Sequence, residues 1–198
     1  TYAMYASGTE QTVTHNDFRG ELSSPIPAIQ NQLQGSGAYG NAIYTDFASN
    51  GFVLDDNRFA HYSNGALILT GVTPHTHANT RIRGNTVLNV GLAFLVSTVD
   101  GVQIANNYIS ADPLVPAVRG VILSGGASDV VITGNTITDA KTGIRIRDDY
   151  GNLPNSRITV NGNRVFGNRD ALFVSPNALS APVDARGTWW GANAGLGG

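Results

Sequence analysis

One six-residue pattern recurs along this chain and restricts its fold more than any other feature. The pattern is an apolar residue, any residue, a turn-tolerant residue, Asn, any residue and a second apolar residue, as in IRGNTV at 82–87. The fourth position of the pattern is occupied by Asn16, Asn57, Asn85, Asn107, Asn135 and Asn163. In a seventh copy, at 185–190, it is occupied by Thr188. Self-similarity with a period of about 20 to 50 residues predicts a solenoid.

A second signature follows the Asn pattern in each repeat. It is a short segment of alternating apolar residues: GALIL (65–69), GLAFL (91–95), GVILS (120–124), GIRIR (143–147) and ALFVS (171–175). Such alternation predicts half-buried strands. Strands that return once per repeat, with no helical pattern between them, predict an all-β, single-stranded, right-handed parallel β-helix of about seven coils.

The chain is predicted to form one domain over residues 1–198, and two longer excursions interrupt its repeats. These lie at 19–41 and 110–119, and each contains two prolines. The third position of the Asn pattern holds Gly, His15, Asp56 or Asn106, which are residue types that tolerate positive φ. We therefore expect a one-residue left-handed corner in every coil, with the asparagines stacked beside it as a structural ladder.

Alternation also predicts the interior. The inward positions before the corner are Phe52, Leu54, Thr80, Ile82, Val102, Ile104, Val130, Ile132, Ile158 and Val160; those after it are Leu92, Phe94, Val121, Leu123, Ile144, Ile146, Leu172 and Val174. The remaining apolar residues of the later strands are predicted to face outward. They form an apolar stripe of Leu67, Leu69, Ala93, Leu95, Ile122 and Phe173. A stripe of this kind is expected to be covered by the 19–41 excursion, a neighbouring domain, a second copy of the chain or another partner.

Composition excludes several classes of protein. The net charge is −2 and there is no cysteine, so neither nucleic-acid binding nor a disulfide framework is expected. No apolar run is long enough to span a bilayer. The chain begins with Thr and already reads as a strand there, which we interpret as a piece of a longer protein whose localisation signals are not visible.

The repeated pattern, followed by G-Φ-x-Φ (Φ, apolar), resembles the right-handed parallel β-helix superfamily. Pectate lyases, polygalacturonases, alginate lyases and epimerases, phage tailspikes and bacterial surface proteins belong to it. The ending GTWWGANAG (187–195) also resembles a Trp-Trp-Gly motif that closes the helix in secreted bacterial repeat proteins. This resemblance implies a location outside the cell or on its surface, and it leaves enzyme and scaffold open.

One charged cluster is the candidate site. Arg145, Arg147, Asp148, Asp149 and Tyr150 end the GIRIR strand and are predicted to contact carbohydrate; in an enzyme, Arg145, Arg147 and Tyr150 would be its catalytic groups. The alternative is a self-neutralising surface cluster. Epimerases of the superfamily carry Tyr-Gly-Phe-Asp-Pro-His, whereas Tyr150 and Gly151 are followed here by Asn152.

A second candidate is His75-Thr76-His77, which fits an exposed polar loop or a metal ligand pair. No third ligand is evident, so neither a metal nor a cofactor is predicted. We expect a non-catalytic module of a secreted or cell-surface protein, serving adhesion, assembly or carbohydrate contact. The alternative is a lyase, hydrolase or epimerase acting on acidic glycans.

Overall fold

A computed structural model describes residues 2–20, 40–46, 49–62, 64–71, 77–111, 118–149 and 153–191. Their strands form three sheets, named A, B and C here. Sheet A contains β1 (Tyr2–Tyr5), β4 (Asn41–Thr45), β7 (Gly65–Thr70), β10 (Leu92–Ser97), β13 (Arg119–Ser124), β16 (Thr142–Arg147) and β19 (Asp170–Val174). Sheet B contains β2 (Thr12–Thr14), β5 (Val53–Asp55), β8 (His77–Arg83), β11 (Val99–Ala105), β14 (Ser128–Thr133) and β17 (Ser156–Asn161). Sheet C contains β3 (Asp17–Arg19), β6 (Arg58–Ala60), β9 (Thr86–Leu88), β12 (Tyr108–Ser110), β15 (Thr136–Thr138) and β18 (Arg164–Phe166).

Every strand pairs in parallel with its equivalents in the neighbouring coils. Each sheet takes one strand from each coil, in the order B, C, A along the chain, and sheet A has seven strands. The predicted all-β solenoid of about seven coils is confirmed. The described segments include no helix that is long and apolar enough to cross a membrane. Most of both predicted excursions lies outside the described residues.

The corner between sheets B and C is a single left-handed residue in all seven coils. His15, Asp56 and Asn106 have φ of 57°, 55° and 55°, and the glycines at 84, 134, 162 and 187 have φ of 61° to 68°. This confirms the predicted corner. It also explains the residue types found there, because few side chains other than Asn, Asp and His accept this conformation at low cost.

The asparagine beside each corner bonds to the next one along the solenoid axis. In each step, Oδ1 of one Asn accepts hydrogen bonds from the backbone N–H and from Nδ2 of the Asn in the preceding coil. The donor–acceptor distances lie between 2.9 and 3.1 Å from Asn16 through to Asn163. Thr188 ends the ladder, since its Oγ1 accepts from Asn163 at 3.4 Å and donates to the carbonyl of Val160 at 3.0 Å. The stack thus satisfies a row of polar groups that water cannot reach.

The core lies between the three sheets and contains most of the predicted interior residues. The outward placement of Leu67, Leu69 and Ala93 was wrong, because all three are fully buried in that core. Leu92 was also misplaced, since it belongs to a separate cluster with Leu95 and Ile122 on the outer face.

Leu67 and Leu69 were misplaced because of a register difference of one residue. Leu92 and Ala93 were misplaced because strict alternation stops at this point: Ala93 and Phe94 both lie in the core, and Leu92 lies on the outer face. The structure pairs Gly65 with Leu92, and Leu92 with Arg119, so Gly65 is equivalent to Arg119 and not to Gly120. A slip of one residue exchanges the two faces of a strand. The residue that follows the Gly65 position is small in these coils: Ala66, Ala93, Gly120, Gly143 and Ala171. At Gly120, a Cβ atom would lie 2.2 Å from the carbonyl oxygen of Gly143.

A further partial coil follows β19. Leu179, Asp184 and Trp189 form parallel bridges with Asn155, Thr159 and Arg164, so this segment covers the last strands of sheets B and C. Trp190 packs against the core at this end. Sheet A has less cover there: Leu172 is only partly buried, and Val174, predicted to be interior, is 39% exposed.

His77 is buried at the start of β8 and does not belong to an exposed loop. Its Nε2 lies 2.9 Å from the carbonyl oxygen of Thr70 and must carry the proton of that hydrogen bond. Nδ1 therefore accepts from the backbone N–H of Ser49, at 3.2 Å. His75 and Thr76 lie outside the described residues. Among the described residues, no three His, Cys, Asp or Glu side chains are grouped to bind a metal.

We expect this histidine to make folding sensitive to mild acid. Burial lowers the pKa of His77, so on acidification the unfolded chain takes up a proton before the folded chain does. The free energy of unfolding therefore has its full value above a pH of about 6.5. At lower pH it falls by up to about 1.4 kcal/mol per pH unit. Thermal unfolding between pH 5 and 7 should show this dependence. It should be weaker in His77→Gln and unchanged in His61→Gln, whose side chain is exposed; equal slopes in all three proteins would refute it.

Candidate functional site

The outer face of sheet A carries two columns of side chains near its C-terminal end. Pairing aligns Arg119, Thr142 and Asp170 in the first column. It aligns Ile122, Arg145 and Phe173 in the second, three residues further along each strand. Because a strand advances about 3.3 Å per residue, the columns are about 10 Å apart.

A cleft of about 160 Å³ opens between these columns. We name it the basic cleft, and its walls are formed by Arg119, Lys141, Thr142, Arg145, Arg169, Asp170 and Phe173. Four of these side chains are cationic and one is anionic. Lys141 and Arg169 come from the turns that lead into β16 and β19, so strands and turns both contribute charge.

The cations of the cleft differ from those elsewhere on the surface. Eight of the eleven arginines form an ion pair with an aspartate: Arg19, Arg58, Arg81, Arg83, Arg147, Arg157, Arg169 and Arg186. Within the described part of the chain, Arg119, Arg145, Arg164 and Lys141 have no carboxylate at ion-pair distance. Three of these four line the basic cleft, so positive charge is left uncompensated there.

Arg145 is held in place by an aromatic ring. Its Cζ atom lies 5.2 Å from the centroid of the Phe173 ring, within the range of a cation–π contact. Its Nε is buried and has no hydrogen-bond partner among the described residues. A buried unsatisfied donor of a charged group is costly.

The pKa shifts in the cleft reflect the same excess of positive charge. Burial, and then the nearby charges of Arg145 and Arg147, lower the pKa of Arg119, which nevertheless stays protonated at neutral pH. The hydrogen bond from Arg169 lowers the pKa of Asp170. Asp170 is the only carboxylate among the described residues that line the cleft, and because it is weakly basic it is a poor general base.

The structure separates the residues of the predicted carbohydrate site. Arg145 faces the basic cleft, whereas Arg147 forms an ion pair with Asp149 at 2.7 Å and donates to Oγ of Ser124 at 3.2 Å. Asp148 and Asp149 follow β16 and do not line the cleft. Tyr150 lies outside the described residues. The self-neutralising interpretation therefore describes Arg147 and Asp149, but it does not describe Arg145.

The predicted apolar interface also divides. Leu95 and Ile122 do face outward, and they cluster with Ile68, Leu92 and Tyr44. Within the single chain, however, they are only 8% and 2% exposed, so little of their surface is accessible to another molecule. Phe173 is 41% exposed and lines the basic cleft. Of these three residues of the predicted stripe, only Phe173 has much accessible surface, and it lies at the cationic end of the face.

Comparison with protein-family models gives a match to the right-handed β-helix region over residues 5–185. The chain belongs to this family. The match covers nearly the whole β-helix, and it agrees with the three parallel sheets and the repeated corner. No match was found among curated proteins, nor among solved structures.

Sequence reasoning missed five of the seven residues that line the basic cleft: Arg119, Lys141, Thr142, Arg169 and Asp170. Arg119 and Asp170 could have been found from the sequence, because each stands directly before a small residue that recurs in the repeats, at Gly120 and Ala171. Aligning the repeats at that position brings both into the column of Thr142. Lys141 and Arg169 precede that column by one residue and lie in turns, so the sequence does not show where their side chains point.

Proposed function

We propose that this chain is a non-catalytic binding module of a secreted or cell-surface protein, and that its basic cleft binds an anionic polysaccharide. The strongest support is that Arg119, Lys141 and Arg145 lie together in the cleft and have no carboxylate at ion-pair distance among the described residues. Most other arginines of the surface form ion pairs. An anionic group would supply acceptors for Arg145 and reduce the repulsion between Arg119 and Arg145.

The rigidity of the scaffold favours a binding role. Arg119, Arg145 and Phe173 stand on three adjacent strands whose backbone is fixed by sheet pairing on β13, β16 and β19. A site on paired strands is ordered before its ligand arrives, which lowers the entropic cost of binding. The exposed ring of Phe173 offers an apolar surface for a sugar ring.

A panel of polysaccharides tests the proposal. Alginate, polygalacturonate and a phosphate-bearing mannan would be compared with neutral dextran by affinity electrophoresis and calorimetry. We expect at least one anionic polymer to bind, with an affinity that falls as salt rises, and we expect Arg145→Gln to weaken it about tenfold or more.

The control is Arg164→Gln, which removes an exposed charge on sheet C away from the cleft and should leave binding unchanged. Equal binding of dextran and the anionic polymers would refute the proposal. Release of unsaturated uronate or new reducing ends, lost in Arg145→Gln, would instead establish a lyase or hydrolase.

A further inference from the structure

We propose that the anionic group recognised by the basic cleft is a phosphate monoester carried on a sugar, and that a uronate carboxylate is the poorer ligand. This inference rests on the proposed function and specifies the chemistry of the same site. It is carried by the charge, the donors and the one aromatic ring of the cleft.

Charge is the first argument. Among the described residues that line the cleft, four cations and Asp170 give a net charge of +3. A single uronate brings one negative charge, whereas a phosphate monoester brings about 1.5 to 2 at neutral pH. The phosphate therefore compensates more of the repulsion between Arg119 and the nearby charges of Arg145 and Arg147.

The arrangement of donors is the second argument. Arg119 and Arg145 stand on different columns of sheet A, while Lys141 and Arg169 reach the cleft from two turns. A planar carboxylate has two oxygens in one plane. A phosphate monoester has three terminal oxygens directed to different sides, each a strong acceptor, and arginine pairs with such groups through two parallel hydrogen bonds. Arg145 lines the cleft and can present its guanidinium to these oxygens.

Phe173 is the third argument, because it explains why the phosphate would be attached to a sugar. Its ring is 41% exposed at the wall of the cleft and contacts the Arg145 guanidinium on one side. Inorganic phosphate would leave this apolar surface in water. A sugar phosphate would cover it with the apolar face of the sugar ring.

The experiment compares glucose 6-phosphate with glucuronate, two sugars that differ in the anionic group at carbon 6. Calorimetric titration at pH 7 and low salt is expected to give at least tenfold tighter binding of glucose 6-phosphate. Its affinity should fall severalfold from pH 7 to pH 5, because the second phosphate pKa is about 6. Glucuronate should show little change over this range.

Variants locate the effect. Arg119→Gln and Arg145→Gln should each weaken glucose 6-phosphate at least tenfold, while Arg164→Gln, an exposed charge on sheet C, should not. Phe173→Ala should weaken glucose 6-phosphate and leave inorganic phosphate unchanged. Circular dichroism and thermal unfolding of each variant would establish that it is folded.

The outcomes separate the two proposals. Glucuronate that binds as tightly as glucose 6-phosphate would overturn the phosphate inference, and polyuronate binding lost in Arg145→Gln would leave the proposed function standing. Inorganic phosphate that matches glucose 6-phosphate would overturn the role of the sugar. Failure of every sugar acid, sugar phosphate and anionic polymer would overturn both.

Discussion

Replacing Asn135 with alanine is expected to lower the free energy of unfolding by about 3 to 5 kcal/mol. Asn135 is fully buried in the middle of the ladder. Its Oδ1 accepts two hydrogen bonds from Asn107, both at 2.9 Å, and its Nδ2 donates to the carbonyl of Ile104 at 2.9 Å. Alanine would leave the buried backbone N–H of Asn107 and carbonyl of Ile104 without these partners, while Nδ2 of Asn107 would keep only its bond to the carbonyl of Ile82. Each buried group left unsatisfied costs about 1 to 3 kcal/mol.

Asn16 provides the matched control. It stands at the first position of the same ladder, but it is exposed, and water can replace the bonds it donates to Asn57. Asn16→Ala should cost less than about 1 kcal/mol. Asn135→Thr should lie between the two, because Thr188 shows that a hydroxyl can occupy the ladder position. Equilibrium unfolding in urea measures the difference, and hydrogen exchange at the Asn107 amide reports the local loss. Equal costs for Asn16→Ala and Asn135→Ala would contradict this account.

The second large effect is expected for Phe94→Ala, at about 3 to 5 kcal/mol. Phe94 is fully buried on β10 and lies in register with Leu67 and Val121 of the adjacent coils. Deleting its ring leaves a cavity between strands that are fixed by pairing on both sides, so the site cannot collapse to fill it.

Phe173→Ala is the control on the same sheet. Phe173 faces outward on β19, the last strand of sheet A, and is 41% exposed, so its loss should change the unfolding free energy by less than about 1 kcal/mol. Urea unfolding of both variants checks the prediction. If both variants lost a similar amount of unfolding free energy, the burial of Phe94 could not be the reason for its effect.

The fold could be predicted from the sequence because its two strongest constraints are local. The left-handed corner restricts the residue before each ladder asparagine, and the buried amide restricts the asparagine itself. The corner recurs in seven coils and the asparagine in six of them, so the copies agree on one fold. The register of sheet A carries no such marker. Gly65 resembles Gly120 in sequence, yet it pairs with Leu92, and only tertiary pairing reveals this.

The candidate site was predicted only in part, for a different reason. Arg145 stands within an alternating strand and its outward direction follows from that pattern. Lys141 and Arg169 lie in turns, where alternation gives no direction. His77 was misassigned because its burial depends on Ser49 and Thr70, which are 28 and 7 residues away in the chain.

The ladder has a consequence for how such a protein can change in length. Every Asn–Asn bond joins adjacent coils only, and several coils repeat after 28 residues, so duplication of one such coil would add a rung with the same contacts at both of its ends. The position of the duplication would decide its effect. Ahead of β13 it would lengthen the rod and leave the cleft intact, whereas between β13 and β16 it would move Arg119 away from Arg145 by about 4.8 Å. The rod can therefore grow freely on one side of the cleft, while the coils that form the cleft must remain neighbours.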